Sequence, residues 1–375
     1  MLRGHKGDSK AVRKQSNVPR PSVDPRSTAR LPCSPVAPPS SLAARLPRSR
    51  LLDLLDAASR TRIAVIGDAM VDVYVRGDVD RISPEAPVPV LRVRGRRHAL
   101  GGAGNVAQNI RALGSGCDLV AAVGSDPGGT HLRGMLDAIG AGHTSLVEVA
   151  RPTTTKTRIV AGSQQVVRVD DEDDTDLDGP DVARLLDAVK AAIDAADALV
   201  LEDYNKGVLV PDVIASAISR ARARRIPIVV DPKFRNFFSY RGATIFKPNR
   251  REFESALGAA LNLDHPETLP STFDRLGVEY LLLTLGERGM MLISANGAVE
   301  SVPAFAREVF DVVGAGDTVT AYLAAILAAG GSAAEAAIAA NFAAGVEVGK
   351  AGAATVSPDE VIAAYDAHDL VPSNL

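Results

Sequence analysis

The chain has 375 residues, 46% of them hydrophobic and 4% aromatic, with no Trp, two Cys and a formal net charge of −3. That much apolar material builds a sizeable, mostly aliphatic core in one large or two ordinary domains. Two cysteines, one of them Cys33 close to the N-terminus, exclude a disulfide framework and point to a reducing, cytoplasmic setting, and no run approaches the roughly 20 apolar residues of a membrane span.

Residues 1–50 carry eleven Lys/Arg against two Asp/Glu, so the +9 of this segment conceals −12 in the remainder. The segment also holds eight prolines, several serines and no aromatic residue, too little apolar surface to offset its ordering entropy. It is predicted to be a disordered basic Pro/Ser-rich extension ahead of a folded domain at 51–375. Without aromatic interleaving or a folded basic platform no nucleic-acid partner is expected, and without a sustained apolar stretch neither is a signal peptide or membrane contact.

From Arg62 the pattern becomes regular. Ile63-Ala-Val-Ile66 predicts a buried strand ending at Gly67-Asp68, and short apolar runs recur at 119–123, 198–201, 228–230, 244–246 and 280–284. Ala-rich helical segments at 182–196, 211–224 and 252–257 lie between them. Strands alternating with helices imply a mostly parallel sheet covered on both faces, with ligands at the carboxyl ends of its strands. Two stretches depart from this. Residues 87–97 and 153–169 alternate apolar with polar side chains, the second around Gly162-Ser163, and are predicted to be hairpins. They belong to lid segments at about 73–100 and 153–170, flanking a glycine cluster, and their exposed strand edges suit a homodimer.

That cluster, Leu100-Gly-Gly-Ala-Gly-Asn105, opens a helical stretch at 106–113. Its glycines let backbone approach a ligand, and Asn105 offers a donor and an acceptor to sugar hydroxyls. Asp311-Val-Val-Gly-Ala-Gly-Asp-Thr318 precedes a small-residue helix. There the unobstructed N–H groups of a helix N-terminus favour developing negative charge on a phosphate, and Asp317 is placed to take a proton from an attacking hydroxyl. The same turn also suits a plain strand-to-helix connection with Asp as a cap. Asp170-Asp-Glu-Asp-Asp174 reads as a solvated acidic turn, because successive side chains diverge.

Together these residues resemble the PfkB, or ribokinase-like, carbohydrate kinases. One signature is Gly101-Gly-Ala-Gly-Asn-Val-Ala-Gln-Asn-Ile-Arg-Ala-Leu-Gly114 and the other is the Asp311 motif. Between them, in family order, stand Asn249-Arg-Arg-Glu252 and Thr284-Leu-Gly-Glu-Arg-Gly289. The likeness covers about 60–360. Within the family it is nearest to heptose-7-phosphate kinases, through Gly67-Asp-Ala-Met-Val-Asp-Val-Tyr74, Arg81-Ile-Ser-Pro-Glu-Ala-Pro-Val-Pro-Val90, Glu202-Asp-Tyr-Asn-Lys-Gly207 and Asp231-Pro-Lys233. The sequence departs from the pattern at Val312, where a hydroxyl is usual, and at Glu202 and Asn205, where Ser and Ala are common. Some relatives carry a fused cytidylyltransferase; no His-x-Gly-His motif occurs here, so a kinase alone is expected.

The resemblance implies an α/β fold, a ribokinase-like three-layer α/β/α sandwich with a mostly parallel central sheet and a small β-sheet lid. It implies ATP-dependent phosphorylation of the anomeric hydroxyl of D-glycero-D-manno-heptose 7-phosphate, in ADP-heptose and lipopolysaccharide-precursor synthesis. Ribose, fructose or nucleoside phosphorylation is the alternative, and a non-catalytic sugar sensor the alternative of another class. By resemblance Asp317 is the base, and the amides of Val313, Gly314, Ala315 and Gly316 form the anion hole. Asp72, Gly101, Gly102 and Asn105 bind sugar. Arg81, Lys156, Arg158 and Lys206 are the candidate phosphate cations, each equally readable as a solvated surface charge. Asn249, Thr284, Gly286, Gly289, Gly314, Gly316 and Asn341 belong to the nucleotide site, where Asn341 is otherwise an ordinary helix-surface amide. Asn249 and Glu252 would hold Mg²⁺ through water, or simply cap a helix; a monovalent cation is left open.

Overall fold

Helix α1 (Arg48–Ala58) leads into strand β1 (Arg62–Gly67), after which the chain leaves the body along β2 (Ala69–Ile82) and returns in β3 (Pro89–Gly102). Then come α2 (Ala103–Ala112), β4 (Gly116–Gly124), α3 (Pro127–Ala138) and β5 (Leu146–Val149), followed by a second excursion in β6 (Thr155–Ala161) and β7 (Gln164–Asp171). The remainder alternates: α4 (Gly179–Asp194), β8 (Ala198–Glu202), α5 (Pro211–Arg224), β9 (Ile228–Asp231), β10 (Ile245–Phe246), α6 (Arg250–Leu257), α7 (Pro270–Leu276) and β11 (Tyr280–Thr284). Strands β12 (Met290–Ser294) and β13 (Val299–Val302) precede three closing helices, α8 (Ala315–Ala328), α9 (Ala333–Glu347) and α10 (Pro358–Asp369). This computed structural model describes residues 45–142, 145–162, 164–261, 270–305 and 309–369.

Nine strands form the central sheet in the order β13-β12-β11-β10-β9-β8-β1-β4-β5, parallel except at β11-β12 and β12-β13. Alternation along β1 sends Ile63 and Val65 into a core layer shared with α1, α2, α8, α9 and α10. Ala64 and Ile66 enter a second layer with α4 and α5. Burial on both faces explains why the predicted strands are continuous apolar runs, and the result is the expected three-layer α/β/α sandwich. No helix among the described residues is long and apolar enough to cross a membrane.

The folded body begins earlier than the predicted boundary at residue 51. Leu46 is fully buried, its carbonyl accepts a hydrogen bond from the Tyr365 hydroxyl at 2.6 Å, and Arg45, Arg48 and Arg50 pair with Glu300, Asp366 and Glu335. Single anchoring residues of this kind leave no periodic trace in a Pro- and Arg-rich stretch. The rest of the predicted extension, 1–44, lies outside the described residues.

The lid is a four-stranded sheet in the order β3-β2-β6-β7. The second predicted hairpin is present as β6 and β7. Residues 87–97, by contrast, are not a hairpin of their own. From Pro89 they run in β3 and pair antiparallel with β2, a strand hidden in the sequence because it follows β1 with only Asp68 between. β2 and β6 run parallel, which joins the two excursions into one sheet.

Candidate active site

Where β1 gives way to the lid, Asp68 organises two segments that are distant in sequence. Its buried carboxylate accepts the backbone N–H groups of Tyr204, Lys206 and Val208 at 2.8, 3.0 and 3.2 Å, which shapes the turn following β8. Its carbonyl accepts the N–H of Ala103 at the start of α2. Burial, then the neighbouring Asp203, pushes the Asp68 carboxyl up to about 6 in spite of those donors. Gly102 lies beside it with φ +54°, and a Cβ there would stand 2.4 Å from the Asp68 carbonyl oxygen, so only glycine fits.

The turn shaped by Asp68 delivers Tyr204 to Asp317. Its hydroxyl donates to Asp317 Oδ1 at 2.8 Å, and Asn105 Nδ2 donates to Oδ2 at 2.7 Å. The Asn105 acceptor is taken by Gln108 Nε2 at 2.9 Å, so this buried amide orients Asp317 in the structure. Burial raises the Asp317 carboxyl to about 6, opposed by its two donors. The raised value makes it a stronger base than an exposed aspartate.

Asp317 stands in the first turn of α8, after Gly314 at φ +98°. The first-turn amides of Ala315, Gly316 and Asp317 have no intrahelical acceptor and carry the positive end of the helix dipole. The Val313 amide differs: it donates to Asp311 Oδ1 at 3.0 Å, while Asp311 Oδ2 accepts from Gly352. Of the four amides predicted to form an anion hole, that of Val313 is thus spent on holding the loop.

Beneath Asp317 lies a set of residues that no individual role had been assigned from sequence. Carboxylate oxygens of Glu202, Asp231 and Asp317 approach within 4.8 Å of one another, at the ends of β8 and β9 and the start of α8. Lys247, following β10, binds Asp231 at 2.7 Å and is itself buried. Burial alone would lower its ammonium, but Asp231 and Glu202 outweigh this and raise it. Among the described residues Glu202 has no hydrogen-bond partner for either oxygen; burial, then the charges of Asp231 and Asp317, raises it well above the ordinary carboxylate range. The signal for this group was present: each follows an apolar strand run at its carboxyl end, where α/β sheets assemble their sites.

On one side of Asp317 opens a cavity of about 830 Å³ lined by Asn249, Thr284, Gly286, Gly289, Gly316 and Asn341, with an apolar wall from Met290, Phe305 and Val348. It thus gathers most of the predicted nucleotide residues. Asn341 is not a surface amide: it is buried and donates to the Pro303 carbonyl at 2.8 Å. A smaller recess of about 220 Å³ shares Asn249, Thr284 and Gly316 with that cavity and reaches Asp317, Tyr204, Lys233 and Glu252. Asn249 and Glu252 form a reciprocal capping box at the start of α6, each accepting the other's backbone N–H at 2.9 Å. Lys233 pairs with the second Glu252 oxygen. Oxygen donors of this type suit a hard divalent cation, and because both Glu252 oxygens are engaged, they fit hydrogen bonding to such an ion's waters.

On the other side stands the lid. Asp72, buried, pairs with Arg158, and a Cβ on Gly101 would approach its Oδ2 to 2.8 Å. Lys156 and Lys206 both bind Glu172, at 2.8 and 2.7 Å, and Lys156 also reaches Asp170. The acidic run at 170–174 also gathers ion pairs, Asp174 binding Arg235, while Asp170, Asp171 and Asp174 stand exposed, as expected of a solvated acidic segment. Arg81 is not brought to this group. It stands nine residues beyond Asp72 near the outer end of β2, or roughly 30 Å along the strand.

Residues 60–360 match the pfkB family carbohydrate kinase family. The bifunctional protein HldE of Rhodospirillum rubrum is 46% identical over 321 residues, covering 85% of this chain and 65% of that protein. That of Gluconacetobacter diazotrophicus is 47% identical over 314 residues, covering 83% and 65%. The chain therefore spans just under two thirds of the length of these curated relatives. Among solved structures, the Arabidopsis thaliana ribokinase complexed with ribose and ATP superposes with a TM-score of 0.66 at 19% identity, covering 81% of this chain and 98% of that one. The tetrameric inhibited form of phosphofructokinase-2 from Escherichia coli gives 0.69 at 18%, covering 83% and 99%. At such identities the likeness is one of fold, and the fold is ribokinase-like. The match across 60–360, together with a carboxylate held at a helix N-terminus between a large cavity and a lid, means that this chain belongs to the pfkB family of carbohydrate kinases.

Proposed function

We propose that the protein transfers the γ-phosphoryl group of ATP to the anomeric hydroxyl of D-glycero-D-manno-heptose 7-phosphate, giving the 1,7-bisphosphate. The observation that carries the reaction is Asp317: a buried carboxylate oriented by Asn105 and Tyr204, next to the recess that leads into the 830 Å³ cavity. The choice of heptose rests on the motifs at 67–90 and 202–207 and on the relatives named HldE.

In this mechanism the nucleotide occupies the cavity against Thr284, Gly286, Gly289 and Asn341, with its phosphates directed to the first turn of α8. Asp317 accepts the proton of the sugar hydroxyl as the oxygen forms its bond to the γ-phosphorus and the bond to the bridging oxygen of ADP breaks. The Ala315 and Gly316 amides stabilise charge on the equatorial oxygens. Mg²⁺ would neutralise the phosphates, with Asn249 and Glu252 orienting its waters. On the sugar side Asp72 and the backbone at Gly101 and Gly102 fix the ring. The enzyme works in the cytoplasm, where ATP is available, as a homodimer joined through the lid, whose Val79, Val93, Val167 and Val169 are exposed.

A panel of sugars tests this reading. Heptose 7-phosphate should exceed ribose, fructose and nucleosides in kcat/KM, and should lose its advantage when the 7-phosphate is removed. Greatest turnover of an unphosphorylated sugar would overturn the heptose assignment, and absence of ATP consumption with every sugar would overturn catalysis.

A further inference from the structure

The lid's register reveals cations that the motifs do not mark. Across its four strands, Arg97, Tyr74, Arg158 and Arg168 are direct partners in one rank. The neighbouring rank is Ala99, Asp72, Lys156 and Asp170. Side chains alternate along a strand, so Asp72, Tyr74 and Arg76 share one face of β2, while Val71, Val73 and Val75 pack against the body on the other. The polar face is directed to the active site. Lys156 and Lys206 meet on Glu172, which ties it to the turn carrying Tyr204, and Asp72 lies against Gly101.

The cations of this face differ in what they already hold. Arg158 is committed to Asp72, Arg168 to Asp170, and Lys156 and Lys206 to Glu172. Arg97, exposed and on the same rank, makes no hydrogen bond or ion pair among the described residues. Its charge nevertheless reaches Tyr74: burial raises that hydroxyl, and Arg158 and Arg97 both oppose the rise. The Arg158 guanidinium lies 5.4 Å from the centre of the Tyr74 ring. The two arginines therefore flank one aromatic ring, and the guanidinium of Arg97 has its fork of donors unspent, the geometry that suits bidentate recognition of a phosphate.

We propose that Arg97, with Arg158 across the Tyr74 ring, forms the subsite for a phosphate monoester at the end of the sugar remote from the reacting hydroxyl. This rests on the phosphosugar reading above and assigns its recognition to a residue outside the family motifs. Arg158→Ala is a poor test, because it would leave the buried Asp72 carboxylate unpaired and disturb the site for any sugar. Arg97 is exposed and, among the described residues, unpaired, so its replacement leaves their contacts in the lid intact.

The experiment compares the full chain with Arg97→Ala and Arg97→Gln, using heptose 7-phosphate, unphosphorylated heptose and ATP as varied substrates. The expected result is a KM for heptose 7-phosphate raised about ten- to a hundredfold, with a far smaller change for unphosphorylated heptose and for ATP. Equal losses for both sugars, or an unchanged KM for heptose 7-phosphate, would overturn the subsite while leaving the phosphosugar reading in place. A wild-type protein that uses heptose 7-phosphate no better than unphosphorylated heptose would overturn both.

Discussion

Beneath Asp317, the charges of Asp231 and Lys247 are shut away from water; on the lid, those of Arg76, Arg92, Arg94 and Arg97 stand in it. In the first region each charge changes its neighbours' protonation, and its position is fixed by strand ends and hydrogen bonds. In the second, pairs such as Arg94 with Asp78 and Arg92 with Asp80 are open to solvent and screening. The contrast separates two tasks. Chemistry needs prearranged groups that do not reorganise during the reaction, whereas capture of an anionic substrate needs cations free to meet it.

The comparison would be broken most directly at Asp317. Asp317→Asn should lower kcat by about 10²- to 10⁴-fold with little change in ATP affinity, since the amide keeps the shape and loses the base. Near-normal turnover at saturating substrate would remove Asp317 from the mechanism. Next in size is Lys247→Ala. Removing one member of the buried Lys247–Asp231 pair should cost about 3–5 kcal/mol of stability in denaturant titration; a loss as small as that of a surface pair would show that water reaches the floor.

A pH series sharpens the same contrast. Asp317 and Asp68 rise from an ordinary 3.8 to about 6, so the native protein holds these protons more tightly than the unfolded chain does. Their contribution to stability is full below about 4 and is lost as pH rises through about 6. Activity runs the other way, because the base must be ionised, so kcat should climb through about pH 6. Tyr204→Phe removes a donor that favours the ionised form and should move that acidic limb upward; an unmoved limb would mean that the hydroxyl does not act on the base. On the lid the sign is opposite. Burial would raise Glu172, but hydrogen bonds from Lys156 and Lys206 outweigh it and lower the carboxyl. Its contribution is present above the ordinary 4.5 and is lost as pH falls through the lowered value.

The smallest effect belongs to the lid pairs. Arg94→Ala should change stability by less than about 1 kcal/mol, and less still at high salt. A loss comparable to that of Lys247→Ala would erase the distinction between the two regions.

The amino-acid sequence by itself determined the alternation of strand and helix, the place of Asp317 at a helix start and six of the residues that line the large cavity, because strand runs, glycine turns and helix starts are written in neighbouring residues. It placed the folded boundary too late, since Leu46 and its three arginine neighbours act as isolated anchors without a repeat. It also missed β2, whose alternation is fused to β1 at Asp68. Only the tertiary structure decided that Tyr204 orients Asp317, that Lys247 neutralises Asp231, that Glu172 gathers Lys156 and Lys206, and that Arg97 shares a rank with Tyr74 and Arg158. The reason is physical: periodicity and turn chemistry act over a few bonds, whereas burial and charge pairing depend on distances through space. Those distances are set by which strands lie side by side and in what register.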